Sequence, residues 1–583
     1  MTGNIYGGGL GCNYCGESGA AVAANISGST AVNISLGTVA NVFGCNNVNG
    51  KPVGGASVTV TGGTINDNVY GGGNLAAASV SPVVTINGGT MDNVYGGGLG
   101  ESAVITGSPV VTINKTATDM TVVDVFGGGD AAAVQAPASG TSVCTVNMQA
   151  GSVSHIYGGG NQAGVSTTDV NVTGGAITGG LYGGCNTSGT VTGAIAVDVT
   201  GGTIGTSSTP ANVHGGGYGN ETATGDNVAV TINGSDVTIN GDVYGGSALG
   251  NVNNTSTETT TVTLTSGTIN GDLYGGGLGN STYAAGVAGK TVVNINGGNV
   301  KNVFGCNNAN GAPSAGASVT VSDGNVDQVF GGGNQAAAPL TPEVTITGGS
   351  VAKVFGGGNE AGVSATDVNI EGGSISTGIY GGCNTSGNIT GNTDVAITGG
   401  TIGTATTPAN IHGGGYGAST TTSGDVNVTI NGISVIVYGD IYGGSALGTV
   451  NNASTDKTTV TLTDGDIYGS IYGGGLGVKA DSEHGIAGVN ANVNGAVQVT
   501  INGGSVIGKE SAVYGCNNLG GAPQSTVNVD VYGTDTPAEG KYAIQAVYGG
   551  GNNANYDAGT PYVTIHNCDN SSCCFNRKDR NCC

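Results

Sequence analysis

Carboxylates are the commonest ionisable side chains in this sequence. There are 36 acidic residues against 12 basic ones, which leaves a net charge of −24 at neutral pH. A glycoside hydrolase needs two carboxyl groups that face each other roughly 5–10 Å apart, one of them with a raised pKa. The aspartates here instead fall singly in turn-like stretches, where aspartate commonly caps backbone N–H groups. They include Asp67, Asp92, Asp124, Asp169, Asp198, Asp226, Asp367 and Asp425.

The basic residues give no support to a lyase either. Both arginines, Arg577 and Arg580, lie in the last seven residues. A lyase acting on acidic sugars would need cations near the abstracted proton, and this acidic body has few. The sequence therefore predicts a protein that is not an enzyme. A polysaccharide lyase or a glycoside hydrolase stays as the alternative.

Cysteine and histidine could bind metals, but their spacing does not favour it. Of the thirteen cysteines, five recur at two repeat positions where other repeats carry glycine, so they are interpreted as small space-filling side chains; these are Cys45, Cys185, Cys306, Cys383 and Cys516. Cys12 and Cys15 form a lone C-x-x-C, which is weak evidence for metal or redox chemistry. The nonapeptide typical of calcium-binding solenoids is absent. We expect no metal and no cofactor.

Aromatic residues recur in a short phrase of an aliphatic residue, an aromatic residue and glycines, as in Val69-Tyr70-Gly71-Gly72-Gly73-Asn74. Stacked repeats would place these rings in a half-buried column, held by contacts worth about 0.5–1.5 kcal/mol per pair. The column is interpreted as a stabilising ladder, with a platform for sugar rings or for lateral packing as the alternative. The histidines in it are interpreted as planar replacements for tyrosine. Its members are Tyr6, Phe43, Tyr70, Tyr95, Phe126, Tyr157, Tyr182, His214, Tyr244, Tyr274, Phe304, Phe330, Phe355, Tyr380, His412, Tyr442, Tyr472, Tyr514 and Tyr548.

The spacing of these aromatic positions, mostly 25 to 32 residues, is typical of a stacked-repeat fold. Between them lie three short β-like segments, V-T-I/V, a piece after Gly-Gly, and the aliphatic–aromatic pair. Val58, Val60, Ile65 and Val69 are expected to point inward, and Thr59 outward. The sequence predicts an all-β fold, a single elongated right-handed parallel β-helix (β-solenoid) of about 19 coils.

A longer repeat divides the chain into blocks, because the units from Tyr157 to Tyr274 recur at a constant offset of 198. We predict the end of an incomplete block over residues 1–40, a first block of nine coils over 41–301 and a second of seven over 302–511. A third block begins over 512–565. A Cys-rich tail follows over 566–583, either an altered reading frame or a cross-linking or metal-binding segment. The chain is expected to be a piece of a longer protein.

The V-T-I-x-G-G and V-Y-G-G-G-N repeats resemble the glycine-rich β-helical surface and adhesin-like proteins of bacteria. That resemblance implies an extracellular or cell-surface location and a structural or adhesive role, with no catalytic residues. The partners expected are other copies of the chain, end to end or laterally, or a glycan or host surface. The acidic charge argues against nucleic acid, and no apolar run is long enough for membrane insertion. The alternatives are a carbohydrate-directed β-helix and, from threonine pairs such as Thr59/Thr61 and Thr461/Thr463, an ice-binding face.

Overall fold

The computed structural model describes residues 3–16, 19–114, 121–535 and 542–566. Within this part of the chain every regular element is a β-strand, and the strands wind into a parallel β-solenoid of about 18 turns. The all-β, stacked-coil fold predicted from the repeat is therefore confirmed. The right-handed sense of the coil stays a prediction. None of the described residues forms a helix long and apolar enough to span a membrane.

The chain divides into two compact units. Unit 1 comprises residues 1–293, 298–300 and 307–315, and unit 2 comprises residues 294–297, 301–306 and 316–583. Both are built from the same coil, and in each the equivalent strands of successive coils pair in parallel.

The first face of each coil comes from the V-T-V/I segments, whose alternation sends every second side chain into the core. In unit 1, Val58 pairs with Val84 and Val84 with Val111, and all three side chains are buried. Thr59, between two buried valines, is only partly covered. Strands confined to this face are Ser29–Ile34, Val110–Asn114, Glu343–Ile346, Thr366–Ile370, Thr393–Ile397, Ala496–Ile501, Val527–Val531 and Tyr562–Ile565.

The second face follows a bend at Gly-Gly. Gly63 and Gly89, at equivalent bends, both have φ of +86°, a conformation that residues with a Cβ rarely adopt. Val143–Ala150 ends at this bend, whereas many strands run on through it: Gly55–Ile65, Val83–Tyr95, Thr167–Tyr182, Ile195–Ile204, Val228–Ile239, Thr259–Ile269, Lys290–Phe304, Ala317–Phe330, Val426–Val437 and Lys457–Ile467. Others begin after it: Thr38–Val39, Thr121–Phe126, Ser152–Tyr157, Ser350–Phe355, Ser374–Tyr380, Thr401–Ile402 and Ser505–Val506.

The aliphatic–aromatic pair ends the second face. Val69 pairs with Val94 and Tyr70 with Tyr95, again in parallel. Separate short strands of this kind are Ile5–Tyr6, Val42–Phe43, Val69–Tyr70, Val213–His214, Val243–Tyr244, Leu273–Tyr274, Asn410–His412, Ile441–Tyr442, Ile471–Tyr472, Val513–Tyr514 and Val547–Tyr548.

A third face, which the sequence pattern did not predict, follows the glycines in some coils. Its strands are Ile105–Thr106, Val134–Gln135, Ser188–Val191, Glu221–Thr224, Asn251–Val252, Ser386–Ile389, Ser419–Thr422 and Thr449–Val450. An antiparallel hairpin, Cys12–Cys15 with Ala20–Val22, projects from the first described coil. A second projection, between Val478 and Val489, leaves the Tyr472 coil of unit 2.

Candidate functional site

The predicted aromatic column exists in both units as a continuous stack of rings. In unit 1 it runs from Tyr6 to Tyr274, and in unit 2 from Phe304 to Tyr548. Neighbouring ring centroids lie 4.5 to 5.1 Å apart, and neighbouring planes are tilted by 14° or less. The strand register sets this spacing, because each ring comes from the same position of the next coil.

Most of the rings are not half-buried as expected but almost completely covered; Tyr6 and Tyr514 are partly covered, and Tyr548 is exposed. Phe43 and Tyr70 are each 1% exposed, and Tyr182, among the more exposed rings within unit 1, only 6%. The reason is that the chain folds back after the glycines and lays the following residues against the rings. Leu99, Ala248 and Leu249 belong to this cover. A ring whose two faces contact other rings and whose edges are covered has no surface left for a sugar.

Hydrogen bonds satisfy the buried phenol groups of Tyr244 and Tyr442, which occupy equivalent positions in the two units. Tyr244 donates to Asp242 Oδ2 at 2.9 Å and accepts from Asn308 Nδ2 at 2.9 Å. Tyr442 makes the same two contacts, with Asp440 and Asn518. Burial, with the nearby carboxylate adding to it, raises the pKa of Tyr244 far above its usual value. These tyrosines are therefore neutral structural groups.

His214 and His412 occupy ring positions in the two stacks, as predicted for planar replacements of tyrosine. His214 lies 5.1 Å from Tyr182 and 4.6 Å from Tyr244, with planes within 4° of parallel. Burial lowers the pKa of both histidines to about 3. Their Nδ1 atoms are buried without a hydrogen-bond partner. Both imidazoles are therefore uncharged at neutral pH.

The glycine directly after the aromatic residue was missed as a position of special importance. A Cβ on Gly71 would lie 2.5 Å from the carbonyl oxygen of Gly96 in the next coil. The same contact recurs at Gly127 with Gly158 in unit 1. All nineteen aromatic positions are followed by glycine, which is the sequence signal that could have revealed this close approach.

The recurring cysteines fill small buried spaces, as predicted. Cys45 and Cys306 lie against the carbonyl oxygens of Gly71 and Gly331, each at 3.6 Å. Burial raises the pKa of Cys45 to about 12. Cys12 and Cys15, by contrast, form a disulfide within the projecting hairpin. The cysteines of the tail lie outside the described residues.

The aspartates divide into turn caps and a small cluster. Asp226 and Asp425 accept backbone N–H groups at 2.6 and 2.7 Å, as expected of turn residues. Asp367 corrects the expectation of single carboxylates, because parallel register places it between Glu343 and Asp394. The three lie on first-face strands, whose register the sequence alone did not specify. Burial, and then the two neighbouring carboxylates, raise the pKa of Asp367.

Three further carboxylates pair with histidines at the surface. Asp124 Oδ1 lies 2.7 Å from His155 Nδ1, Asp481 Oδ2 lies 2.7 Å from His484 Nδ1, and Asp530 Oδ1 lies 3.1 Å from His566 Nε2. Across the described part of the chain, no three His, Cys, Asp or Glu side chains are grouped so that they could hold a metal ion.

Open grooves lie beside the two projections. The groove of unit 2 has a volume of about 730 Å³ and lies between the projecting segment at 478–490, the turn at 519–524 and the segment at 553–558. The groove of unit 1 has about 320 Å³ and is lined by parts of 13–25, 48–51 and 75–77, with Ser102. Only one carboxylate, Asp557, lines either of them.

Comparisons with family models, with curated proteins and with solved structures gave no match to this chain. The geometry of its own residues therefore carries any functional conclusion.

Proposed function

We propose that the chain is a structural or adhesive β-solenoid without catalytic activity, a shaft or fibre segment of a bacterial surface protein that works outside the cell. The coil supports this role because each turn rests on its neighbours through one repeated set of contacts, which allows length to grow by addition of turns. The Glu343–Asp367–Asp394 cluster is the strongest catalytic candidate. It lies on outward-facing strand positions rather than in a groove, which argues against a hydrolase.

The ice-binding alternative has little support. In unit 1 the outward column has Asn33, then Thr59, Thr85 and Thr112 in register. It continues with Asn147 and Asn171. An unbroken threonine array, which that function would require, is therefore not formed.

We propose that copies of the chain associate by stacking a coil of one copy on the Tyr548 coil of another. One observation carries this proposal: Tyr548 is 49% exposed, whereas Tyr70, at the same repeat position inside unit 1, is 1% exposed. The adjoining strand Tyr562–Ile565 is exposed along its whole length. Exposed strand edges present unpaired N–H and C=O groups to another strand. A second copy offers a matching aliphatic–aromatic pair at Ile5–Tyr6.

Sedimentation velocity over a range of concentrations, with electron microscopy of the same samples, tests this association. We expect oligomers whose size grows with concentration. Gly549→Ala should reduce them, because a methyl group there would meet the backbone of an added coil, as a Cβ on Gly515 meets the carbonyl of Gly549. Gly28→Ala, which adds a Cβ into open space, is the matched control. A chain that stays monomeric at every concentration would overturn the proposal.

A further inference from the structure

The grooves of the two units lie beside the same structural feature, which also occurs at Asn307 of unit 1. Asn46 in unit 1 and Asn517 in unit 2 are fully buried beside them, at the same repeat position. The Nδ2 atom of Asn46 donates to Ala24 O at 2.7 Å, and that of Asn517 donates to Ala491 O at 2.6 Å. Each amide thereby fixes the end of its projection to the next coil. The two grooves are consequently bordered by the same backbone arrangement, which we call the shared frame.

A proline beside each groove removes one hydrogen bond between successive coils. Pro52 and Pro523 pair in parallel with the preceding coil, at Ile26 and Val493. Because proline has no N–H, it cannot donate a ladder hydrogen bond to the coil that follows. The third face is thus weakened between this coil and the next, at the place where each groove lies.

The side chains that line the shared frame differ at several positions, one of which carries Asn49 in unit 1 and Gly520 in unit 2. Three positions carry asparagine in unit 2 and an aliphatic residue in unit 1. In unit 2 they are Asn490, Asn553 and Asn555, and in unit 1 they are Ala23, Leu75 and Ala77. The backbone contacts confirm the alignment, since Leu75 N and Asn553 N both donate 2.7 Å bonds to the residue at the same position of the preceding coil. The unit 2 groove therefore carries exposed amides at these three positions, and Asn492 also lines it, whereas the asparagines of the unit 1 groove lie elsewhere, at Asn13, Asn25 and Asn49.

We propose that the unit 2 groove is a binding site for a neutral oligosaccharide. Each asparagine amide can both donate and accept, which matches the hydroxyl groups of a sugar. Gly488, Gly520 and Gly521 leave the wall without side chains, so that a ligand can approach the backbone closely. A volume of about 730 Å³ lies within the range of ligand sites.

Charge selects a neutral sugar over an acidic one. Lys479 and Asp557 contribute opposite charges to the lining, so the groove itself has no net charge from these two residues. The whole chain carries −24 and repels polyanions at long range. This site is independent of the structural role proposed above, since coils can stack whether or not the groove is occupied.

The test uses the full chain on a printed array of short linear oligosaccharides of glucose, galactose, mannose, xylose and N-acetylglucosamine, together with uronic acid oligomers. We expect binding to at least one neutral series, followed by titration of that oligosaccharide in calorimetry. The triple variant N490A/N553L/N555A should lose affinity at least tenfold. It should keep its circular dichroism and thermal unfolding, because each new residue already occupies the equivalent position in unit 1.

The reciprocal variant A23N/L75N/A77N provides a second test, because it places the three amides on the unit 1 frame. We expect a second equivalent of the same oligosaccharide to bind to this variant. Absence of binding to every neutral series would overturn the proposal. So would unchanged affinity in N490A/N553L/N555A, or tighter binding of the uronic acid oligomers than of any neutral one.

Discussion

The imidazoles of His214 and His412 show how completely burial controls single residues in this molecule. Burial holds the pKa of each at about 3, whereas a histidine in the unfolded chain titrates near 6.5. As pH falls from 6.5 towards 3, the unfolded chain therefore binds protons that the folded chain does not, and stability decreases. At pH 5 the loss is about 2 kcal/mol for each histidine.

The double variant H214F/H412F should remove this pH dependence, since phenylalanine already occupies other positions of the stack. We expect the denaturant midpoint of the natural chain to fall between pH 7 and pH 5, and that of the variant to change much less. His155, His484 and His566, each paired with an aspartate, are unaltered in both proteins and serve as an internal reference. Equal slopes in the two proteins would show that the stacked imidazoles are not the cause.

The buried thiols should be chemically silent. Burial raises the pKa of Cys45, Cys306 and Cys516 to about 12, so the reactive thiolate is scarce at pH 8. We expect iodoacetamide to leave these three residues unmodified in the folded chain and to label them fully in denaturant. Peptide mass spectrometry measures the labelling at each site. Rapid modification of any of the three without denaturant would contradict their burial.

For single residues, the sequence indicates which type of side chain a repeat position requires but not how deeply that side chain is buried. His214 could be recognised as a ring because it stands where tyrosine stands in other repeats. The burial of Tyr70 could not be recognised in the same way. The alternation of apolar and polar residues shows which side of a strand a residue faces, but not which later segment of the chain covers that side. Asp367 was misjudged for a related reason, because its neighbours Glu343 and Asp394 are close only through register.

Where successive coils meet, the glycine after each aromatic residue should tolerate a larger side chain poorly. Gly71→Ala should destabilise the chain by about 1–3 kcal/mol, because its Cβ would meet the Gly96 carbonyl, a backbone atom that cannot rotate away. Gly549→Ala is the matched comparison. The nearest atoms to its Cβ belong to the side chains of Pro561 and Val563, at 3.0 Å or more. At a protein concentration at which neither protein associates, we expect its thermal midpoint to stay close to that of the natural chain.

If Gly71→Ala and Gly549→Ala lower the midpoint equally, the carbonyl contact is not the reason for the invariant glycine.

The strands themselves were easier to predict than this contact. The V-T-V/I segments alternate, and their strands lie where expected. Third-face strands such as Ser188–Val191 and Glu221–Thr224 do not alternate in hydrophobicity, and only pairing with the neighbouring coil makes them extended.

The repeat period predicts the fold of this protein well but its function poorly, because the period reports only what all the repeats share. A stacked fold is encoded many times over, so single departures such as the replacement of Val by Met148 do not obscure it. A binding site is encoded once. Asn555 lies seven residues after Tyr548, as Ala77 does after Tyr70, but only the structure shows that both residues line a groove.

In a solenoid each turn contacts only its neighbours, so the chain should still fold after deletion of whole turns but not after deletion of part of a turn. Deletion of residues 87–148 joins Ile86 to Gln149 and removes two turns of unit 1. Ile86 pairs with Ile113, and Ile113 with Met148, so the junction keeps the register of the first face. We expect cooperative unfolding at a nearly unchanged temperature and a β-sheet circular dichroism spectrum. Deletion of residues 87–132, which ends between faces, should instead give an aggregated or unfolded chain. If both deletions fold equally well, register between coils does not determine stability.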